Sequence, residues 1–372
     1  MHKKRIAIVA NTTWNIYNFR LNLVRKLLDE DNEVFVIAPV DEYIEYKDKF
    51  PLVSHIPLLN LDRSSKKPFK DLRLIFELKK IYKKIKPDLI IHYTHKPNIY
   101  GGIAARLLGL KSVAVVTGLG YAFINKGIIN RFTKIMYAFV KNFHDKIIFE
   151  NEDDLEYFEE AGLVEKGKGE SVKGCGVDAE VYQPFPNGVV KEKTTFTFIG
   201  RLLYDKGIVE FIEAAKVVKK QNKKVEFWVL GELDSDNPSM LKREKLLEWI
   251  NEGVIVYHGF QNDVRPFIAK SDCIVLPSYR EGLPRIILEG MSMAKPVITT
   301  DTAGCRQTVI DGENGFLVNV KDSNDLIAKM ESFINTTNKK RHDMGFAGRK
   351  MVLNQFNSKK ISDDLYKILA EV

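Results

Sequence analysis

Twice along its length the chain alternates short apolar runs with longer amphipathic stretches, and few folds accommodate that pattern. In the first series KRIAIVA, EVFVIAP, DLIIHY and SVAVVTG are runs of the kind buried inside a parallel sheet. Between them FRLNLVRKLLDE, LRLIFELKKIYKKIK and YGGIAARLLG have helical spacing, the second stopping at Pro87 and the third at Gly109. KIIFE and the acidic stretch EDDLEYFEEAG follow as strand and helix. The second series opens at FTFIG (196–200) and continues through a helix at 207–220, VEFWVLG, LKREKLLEWIN, VIVYHG, CIVLP, RIILEGMSM, VITT and GFLV. Three helices are expected after it, at 322–335, 338–352 and 358–370. Alternating strand–helix units build parallel sheets covered by helices on both faces. The expected fold class is therefore α/β, with two Rossmann-like domains, residues 1–185 and 186–357, whose parallel sheets face a central cleft. Pro184, Pro186 and Gly188 mark the expected hinge.

Length agrees, since 372 residues are too many for one ordinary core. No apolar run approaches the roughly 18–20 residues that cross a bilayer. IAIVA near the N-terminus is too short for a signal peptide and reads as the first strand. Cys175, Cys273 and Cys305 are scattered and have no ligand spacing, so neither a disulfide framework nor a zinc site is expected. A cytoplasmic location follows. Net charge is +8 and unevenly spread: residues 63–146 hold 18 Lys/Arg against 4 Asp/Glu, whereas 150–180 hold 11 acidic against 3 basic. A basic block of this kind suits a polyanionic partner: nucleic acid, anionic lipid or a diphosphate-bearing substrate.

The segment Ser271–Asp301 reads as strand, loop, helix, strand, with Pro284 a good first helical residue. Such a loop, at the carboxyl end of a parallel strand and leading into a helix N-terminus, is where α/β proteins hold anions. Glu281 in the loop and Glu289 in the helix add carboxylates that would accept hydrogen bonds from sugar hydroxyls. Similarly, IGRLLYDKG places Arg201 and Lys206 between a strand and a helix, a fork and a point charge suited to a diphosphate.

The phrase EGLPRIILE, set within LPSYREGLP and followed by DTAGCRQTVIDGENGFLV, resembles the signature of family-4 retaining glycosyltransferases with the GT-B fold. IGRLLYDKG is similar to a second phrase of that family. The resemblance implies that Glu281 contacts the transferred sugar, Glu289 holds the nucleotide ribose, and Arg201 and Lys206 bind the donor diphosphate and neutralise it as it departs. Gly200, Gly282, Leu283, Pro284 and Arg285 complete the expected donor site. In the GT-B fold the last helix packs back on the first domain, here residues 358–372. The first domain would bind the acceptor and the second the nucleotide sugar.

The first strand's end, NTTWNIYNFR, lacks the family's usual glycines; with HKPNIYGG and TGLGYAF it instead resembles a bacterial branch acting on undecaprenyl-diphosphate-linked acceptors in surface-polysaccharide or glycan assembly. Asn11, Thr13 and Asn18 either contact substrate or cap the following helix. Asn18, Arg20, His95, Lys96, Gly118 and Gly120 are the acceptor-side candidates. Residues 128–143 could lie on an anionic membrane surface or pack on the first domain. DSD at 234–236 matches a metal-binding triplet of a different glycosyltransferase fold; in this polar turn no metal role is expected, and no cofactor. Gln307 stands where the family commonly has Glu.

The expected activity is transfer, with retention, of a hexose or N-acetylhexosamine from a nucleotide diphosphate, UDP being the expected nucleotide. The acceptor would be a lipid-linked saccharide at the inner face of the plasma membrane, with no nucleic-acid partner. Competing readings are a sugar-nucleotide epimerase or phosphorylase on the same fold, and a basic non-catalytic protein that binds nucleic acid or membrane.

Overall fold

The computed structural model of the chain describes residues 3–62, 68–120, 123, 127–185, 192–234 and 237–372. Pro186 and Gly188 of the expected hinge, Ser235 and Asp236 of the DSD triplet, and Tyr121 and Ala122 of TGLGYAF lie outside these. The chain divides into two compact units, Met1–Cys175 with Ser358–Val372, and Gly176–Asn357.

The first unit holds a seven-stranded sheet of order β3-β2-β1-β4-β5-β6-β7. Its strands are β1 Arg5–Val9, β2 Glu33–Ala38, β3 Ser54–Pro57, β4 Leu89–Tyr93, β5 Ser112–Val116, β6 Lys146–Phe149 and β7 Gly169–Ser171. All are parallel, with Ile8 level with Val36 on one side and Ile91 on the other. Its helices are α1 Thr13–Phe19, α2 Leu21–Asp29, α3 Tyr46–Lys49, α4 Pro68–Ile85, α5 Gly102–Arg106, α6 Ile128–Val140 and α7 Glu152–Glu160, with one more from the end of the chain. Side chains alternate across the sheet as the strand period requires. Ile6, Ile8, Val34 and Val36 pack with Val24 and Leu27 of α2, whereas Ala7, Val9 and Ile37 pack with Leu74, Leu78 and Tyr82 of α4.

The second unit holds β8 Thr194–Ile199, β9 Val225–Leu230, β10 Val256–Tyr257, β11 Cys273–Leu276, β12 Val297–Thr300 and β13 Gly315–Val318, ordered β10-β9-β8-β11-β12-β13 and again parallel. Its helices are α8 Ile208–Gln221, α9 Arg243–Asn251, α10 Arg265–Lys270, α11 Arg285–Ser292, α12 Ser323–Asn335 and α13 Asn338–Met351. Stacked and edge-on rings of Phe196, Phe227, Phe211 and Phe333 fill the core on one face of this sheet. In each unit the order runs outward from the first strand in both directions, so the loops after β1 and β4, and after β8 and β11, leave from the point where the order reverses. Ligands of open parallel sheets bind at such points.

The last helix, α14 Ser358–Ala370, belongs to the first unit. Leu365 and Leu369 join the cluster of Leu23, Val24 and Leu27, and Asp363 pairs with Lys26 at 3.0 Å. The chain enters and leaves the second unit side by side, Val177 N–H donating to the Phe356 carbonyl at 2.9 Å. That boundary at 175/176 lies before the one expected at 185/186, because Val177 and Ala179 are buried in the second unit's core.

NTTWNIYNFR is largely helical where a loop was expected. Thr12 is the N-cap, its hydroxyl accepting from Asn15 N–H at 3.0 Å. The capping alternative for Asn11, Thr13 and Asn18 is thereby corrected: Thr13 donates to the Pro39 carbonyl, and Asn18 donates to Trp14 O at 3.0 Å.

A polar network runs through the first unit's interior. Tyr82 OH meets His92 Nε2 at 2.9 Å; His144 meets Ser112 Oγ at 3.0 Å and the Asn98 carbonyl at 2.8 Å. Cβ atoms on Gly101 and Gly102 would overlap the His92 and His144 rings, which explains the paired glycines of HKPNIYGG. Burial drives His92 well below the usual imidazole value and His144 down to about 4. The folded state therefore binds fewer protons than the unfolded state below the ordinary imidazole value of 6.5, so stability falls as pH drops. Each of these histidines should lower unfolding free energy by up to about 1.4 kcal/mol per pH unit over this window. Unfolding followed from neutral to acid pH checks this, and His144→Gln should flatten the slope. An unchanged slope in that variant would remove His144 from the account.

Among the described residues no helix is long and apolar enough to cross a membrane.

Candidate active site

In the second unit the loops after β8 and β11 are locked together. Gly207, at φ 74°, closes the first loop, and a Cβ there would overlap the Pro277 carbonyl that opens the second. Asp205 O accepts from Tyr279 N–H at 2.9 Å and from Ser278 Oγ at 3.1 Å. This clasp brings Lys206 to Glu281, Nζ to Oε1 at 2.5 Å, with side chains 21% and 12% exposed. On its other flank the second loop is held by the turn after β12. Ala303 O accepts from Glu281 N–H at 3.2 Å, and Thr302 Oγ1 donates to Tyr279 O at 3.1 Å. Gly304 presses against the carbonyls of Glu281 and Gly282, where no Cβ would fit.

Arg201, half-exposed, binds Asp234 at 2.7 Å. Arg285, the first residue of α11, binds Glu289 one turn on at 2.8 Å. Glu289 is buried; burial raises its pKa, with Arg285 and the Tyr182 hydroxyl opposing the rise. Gly200 donates to Leu230 O at 3.0 Å at the head of the first loop, Leu283 packs on the core, and Pro284 precedes α11. Gln307 lies in a 3-10 turn, Arg306–Thr308. One strand-order reversal thus carries three cations, Arg201, Lys206 and Arg285, each paired with a carboxylate, beside the N-terminus of α11. Paired cations of this kind can exchange their carboxylates for the oxygens of a diphosphate, and a helix N-terminus favours the same charge.

The first unit treats its candidates differently. Arg20 is buried in an ion pair with Glu150 at 3.1 Å, with its guanidinium 4.0 Å above the Tyr93 ring, so it ties the end of α1 to β6 and β4 rather than facing solvent. Asn18 is on the exposed side of α1. Thr94, a β-branched residue at φ 73°, turns the chain after β4 and sets His95 and Lys96 beside each other. His95 Nδ1 meets Tyr137 OH of α6 at 2.9 Å, and burial lowers its pKa. Lys96 binds Asp71 of α4 at 2.8 Å, and Tyr100 OH donates to the same carboxylate at 2.9 Å. Gly118 and Gly120, at φ 99° and 55°, shape the turn after β5.

Sequence reasoning missed Asp234 as a partner of Arg201, Tyr182 beside Glu289, Asp71 beneath Lys96, and Gly304. Of these only Gly304, inside DTAGCRQTVIDGENG, carried a local signal.

Two Rossmann-like units with parallel sheets, the second with cations and carboxylates gathered where its strand order reverses, are the elements of a GT-B enzyme. Residues 5–151 match the family described as glycosyl transferase 4-like and residues 182–351 that described as glycosyl transferases group 1. The chain is 30% identical over 346 residues, 88% of each chain, to the N,N'-diacetylbacillosaminyl-diphospho-undecaprenol alpha-1,3-N-acetylgalactosaminyltransferase of Campylobacter jejuni. It is 32% identical over 80% of its length and 79% of the relative's to the UDP-Gal:alpha-D-GlcNAc-diphosphoundecaprenol alpha-1,3-galactosyltransferase of Escherichia coli. Among solved structures, sucrose-phosphate synthase of Thermosynechococcus elongatus superposes with a TM-score of 0.83 at 17% identity, covering 99% of both chains. Anabaena HepE in complex with UDP and glucose gives 0.83 at 17% identity, covering 99% of this chain and all of that one. The chain belongs to the group 1 and 4-like glycosyltransferases.

Proposed function

We propose that this glycosyltransferase moves a hexose or N-acetylhexosamine from a UDP-sugar to a saccharide carried on undecaprenyl diphosphate, with retention at the anomeric carbon. The observation that carries the reading is the Lys206–Glu281 pair, held at 2.5 Å where the loops after β8 and β11 meet. The names of the Campylobacter jejuni and Escherichia coli relatives support the acceptor class, and the latter supports a UDP donor.

Loss of the diphosphate is the demanding step, because negative charge grows on the leaving oxygens while positive charge grows on the sugar. Arg201, Lys206 and the N-terminus of α11 would meet the leaving oxygens with charge already in place. Glu281, released from Lys206 as the diphosphate arrives, would accept from hydroxyls of the transferred sugar. Glu289, oriented by Arg285 and Tyr182, would accept from the ribose. Gly200, Gly282 and Leu283 would supply backbone around the nucleotide. On the first unit His95 and Lys96, with the turn at Gly118 and Gly120, would meet the acceptor. Lys96 would exchange Asp71 for the acceptor's diphosphate. The work would take place at the inner face of the plasma membrane.

The test is a thermal-shift series with UDP- and GDP-sugars, then turnover on lipid-linked saccharides with the product's anomeric configuration read by NMR. At a hundred times Kd a UDP-sugar should stabilise the chain by about 2.7 kcal/mol. A response to GDP-sugars alone would overturn the donor assignment, and inversion at the anomeric carbon would overturn the stereochemistry.

A further inference from the structure

Helix α6 presents two unlike faces. Tyr137 and Val140 are buried, with Tyr137 against Phe158 of α7 at 5.1 Å. On the opposite side Phe132, Ile135 and Phe139 are 51%, 56% and 58% exposed. Their spacing of three and then four residues aligns them in one stripe, with exposed Arg131 beside it. Isolated exposed apolar residues are ordinary, but an aligned stripe of large ones marks a surface that meets something apolar. Helix α4 adds Leu72 and Phe76, 51% and 70% exposed, followed by exposed Lys80, Lys83 and Lys84. Both helices are tied to the segment after β4, α6 through Tyr137 on His95 and α4 through Asp71 on Lys96.

Charge identifies the occupant. Residues 89–144 contain no Asp or Glu at all, against seven Lys/Arg. The acidic helix α7 packs on the buried side of α6, through Phe158, and so flanks the apolar stripe from behind. A second copy of this chain would bring the same positive charge to the contact, whereas a leaflet of anionic phospholipid brings the opposite charge and an apolar interior. We propose that the apolar stripe of α6, together with Leu72 and Phe76 of α4, is a docking surface for an anionic bilayer. The aromatic and aliphatic side chains enter at the headgroup–acyl boundary, and the flanking lysines and arginines stay at headgroup level. His95 and Lys96 are tied to these helices from within, His95 to Tyr137 on the buried side of α6 and Lys96 to Asp71 of α4. Only the identity of that bilayer, the inner face of the plasma membrane, rests on the proposed function.

The test uses the full chain and vesicles of phosphatidylcholine, alone or mixed with phosphatidylglycerol. The wild-type chain should sediment with the mixed vesicles, less so at high salt, and weakly with phosphatidylcholine alone. Phe132→Ser/Ile135→Ser/Phe139→Ser should weaken binding at least about ten-fold, and Leu72→Ser/Phe76→Ser less so. Thermal midpoint and the shift caused by a UDP-sugar should match wild type in both variants. The single variants Phe132→Ser and Phe139→Ser carry the test if the triple variant loses its unfolding transition. Undiminished vesicle binding by the variants, or no binding by wild type, overturns the proposal. So does a wild-type dimer that the triple variant abolishes, which would give the stripe to a second copy. Vesicle binding is read without donor or turnover: a chain that binds vesicles and no nucleotide sugar sinks the proposed function and leaves the docking surface standing.

Discussion

Lys206→Ala should lower kcat/KM by roughly a thousand-fold, the scale of losing one fixed charge aimed at a leaving group. The fall should be in kcat more than in KM, because the leaving oxygens carry most charge in the transition state. Thermal stability should fall as well, since Lys206→Ala leaves the Glu281 carboxylate, 12% exposed, without the cation it pairs with. Glu281→Ala should produce a loss of similar size in kcat/KM for a different reason: in the proposed mechanism it anchors the sugar. Because the two side chains meet at 2.5 Å and, in the proposed mechanism, serve one bound molecule, the double variant should be little worse than either single one. Fully multiplicative losses would show that the two act on separate steps. A kcat/KM within three-fold of wild type in Lys206→Ala would remove that residue from the mechanism.

Gly304→Ala should damage both stability and turnover although its side chain is one methyl group. Its φ of 76° disfavours any Cβ, and the Cβ would overlap the Gly282 carbonyl oxygen and lie 2.5 Å from that of Glu281. The backbone that carries Glu281 must move. Strain of this kind costs about 1–3 kcal/mol, and a displacement near 1 Å can cost about a hundred-fold in rate. Gly312→Ala is the matched control, because φ there is 78° and no atom lies within 4 Å of the added Cβ. It should show the backbone cost in a urea melt and keep its kcat/KM. Equal turnover in the two variants would mean that the position of the Glu281 loop does not limit the reaction.

What the sequence made legible, and what it hid, follows from the range of the interactions. The segment around β11 and α11 reads locally: four apolar residues that no water reaches, a turn, a proline before the helix, and a glycine, Gly290, pressed on Ile274. Arg201, Lys206 and Glu281 were legible as charged residues of the loops after β8 and β11, and Glu289 as a residue of the helix that follows β11, since chain order alone places them there. Their partners were not. Asp234 lies 33 positions from Arg201, and nothing within either segment names the other. The stretch after β1 looked like a loop because its aromatic and polar residues have weak helical periodicity, yet a single Thr12 cap and the burial of Ile16 suffice to wind it. The three-residue β7 is too short to show any period and exists because β6 offers it an edge. Arg20 was an acceptor-side candidate, and only the fold reveals that Glu150, 130 positions away, draws it inside.

Because α14 rejoins the first unit after the whole of the second has been made, the ribosome releases that unit's material in two instalments. Residues 176–357 form an unbroken stretch of chain, whereas no single cut yields the other unit intact. Until residues 358–370 emerge, the part of α2 that Leu365 and Leu369 cover stays open although the sheet already holds the helix, so a nascent or clipped chain would offer that strip to a holdase chaperone.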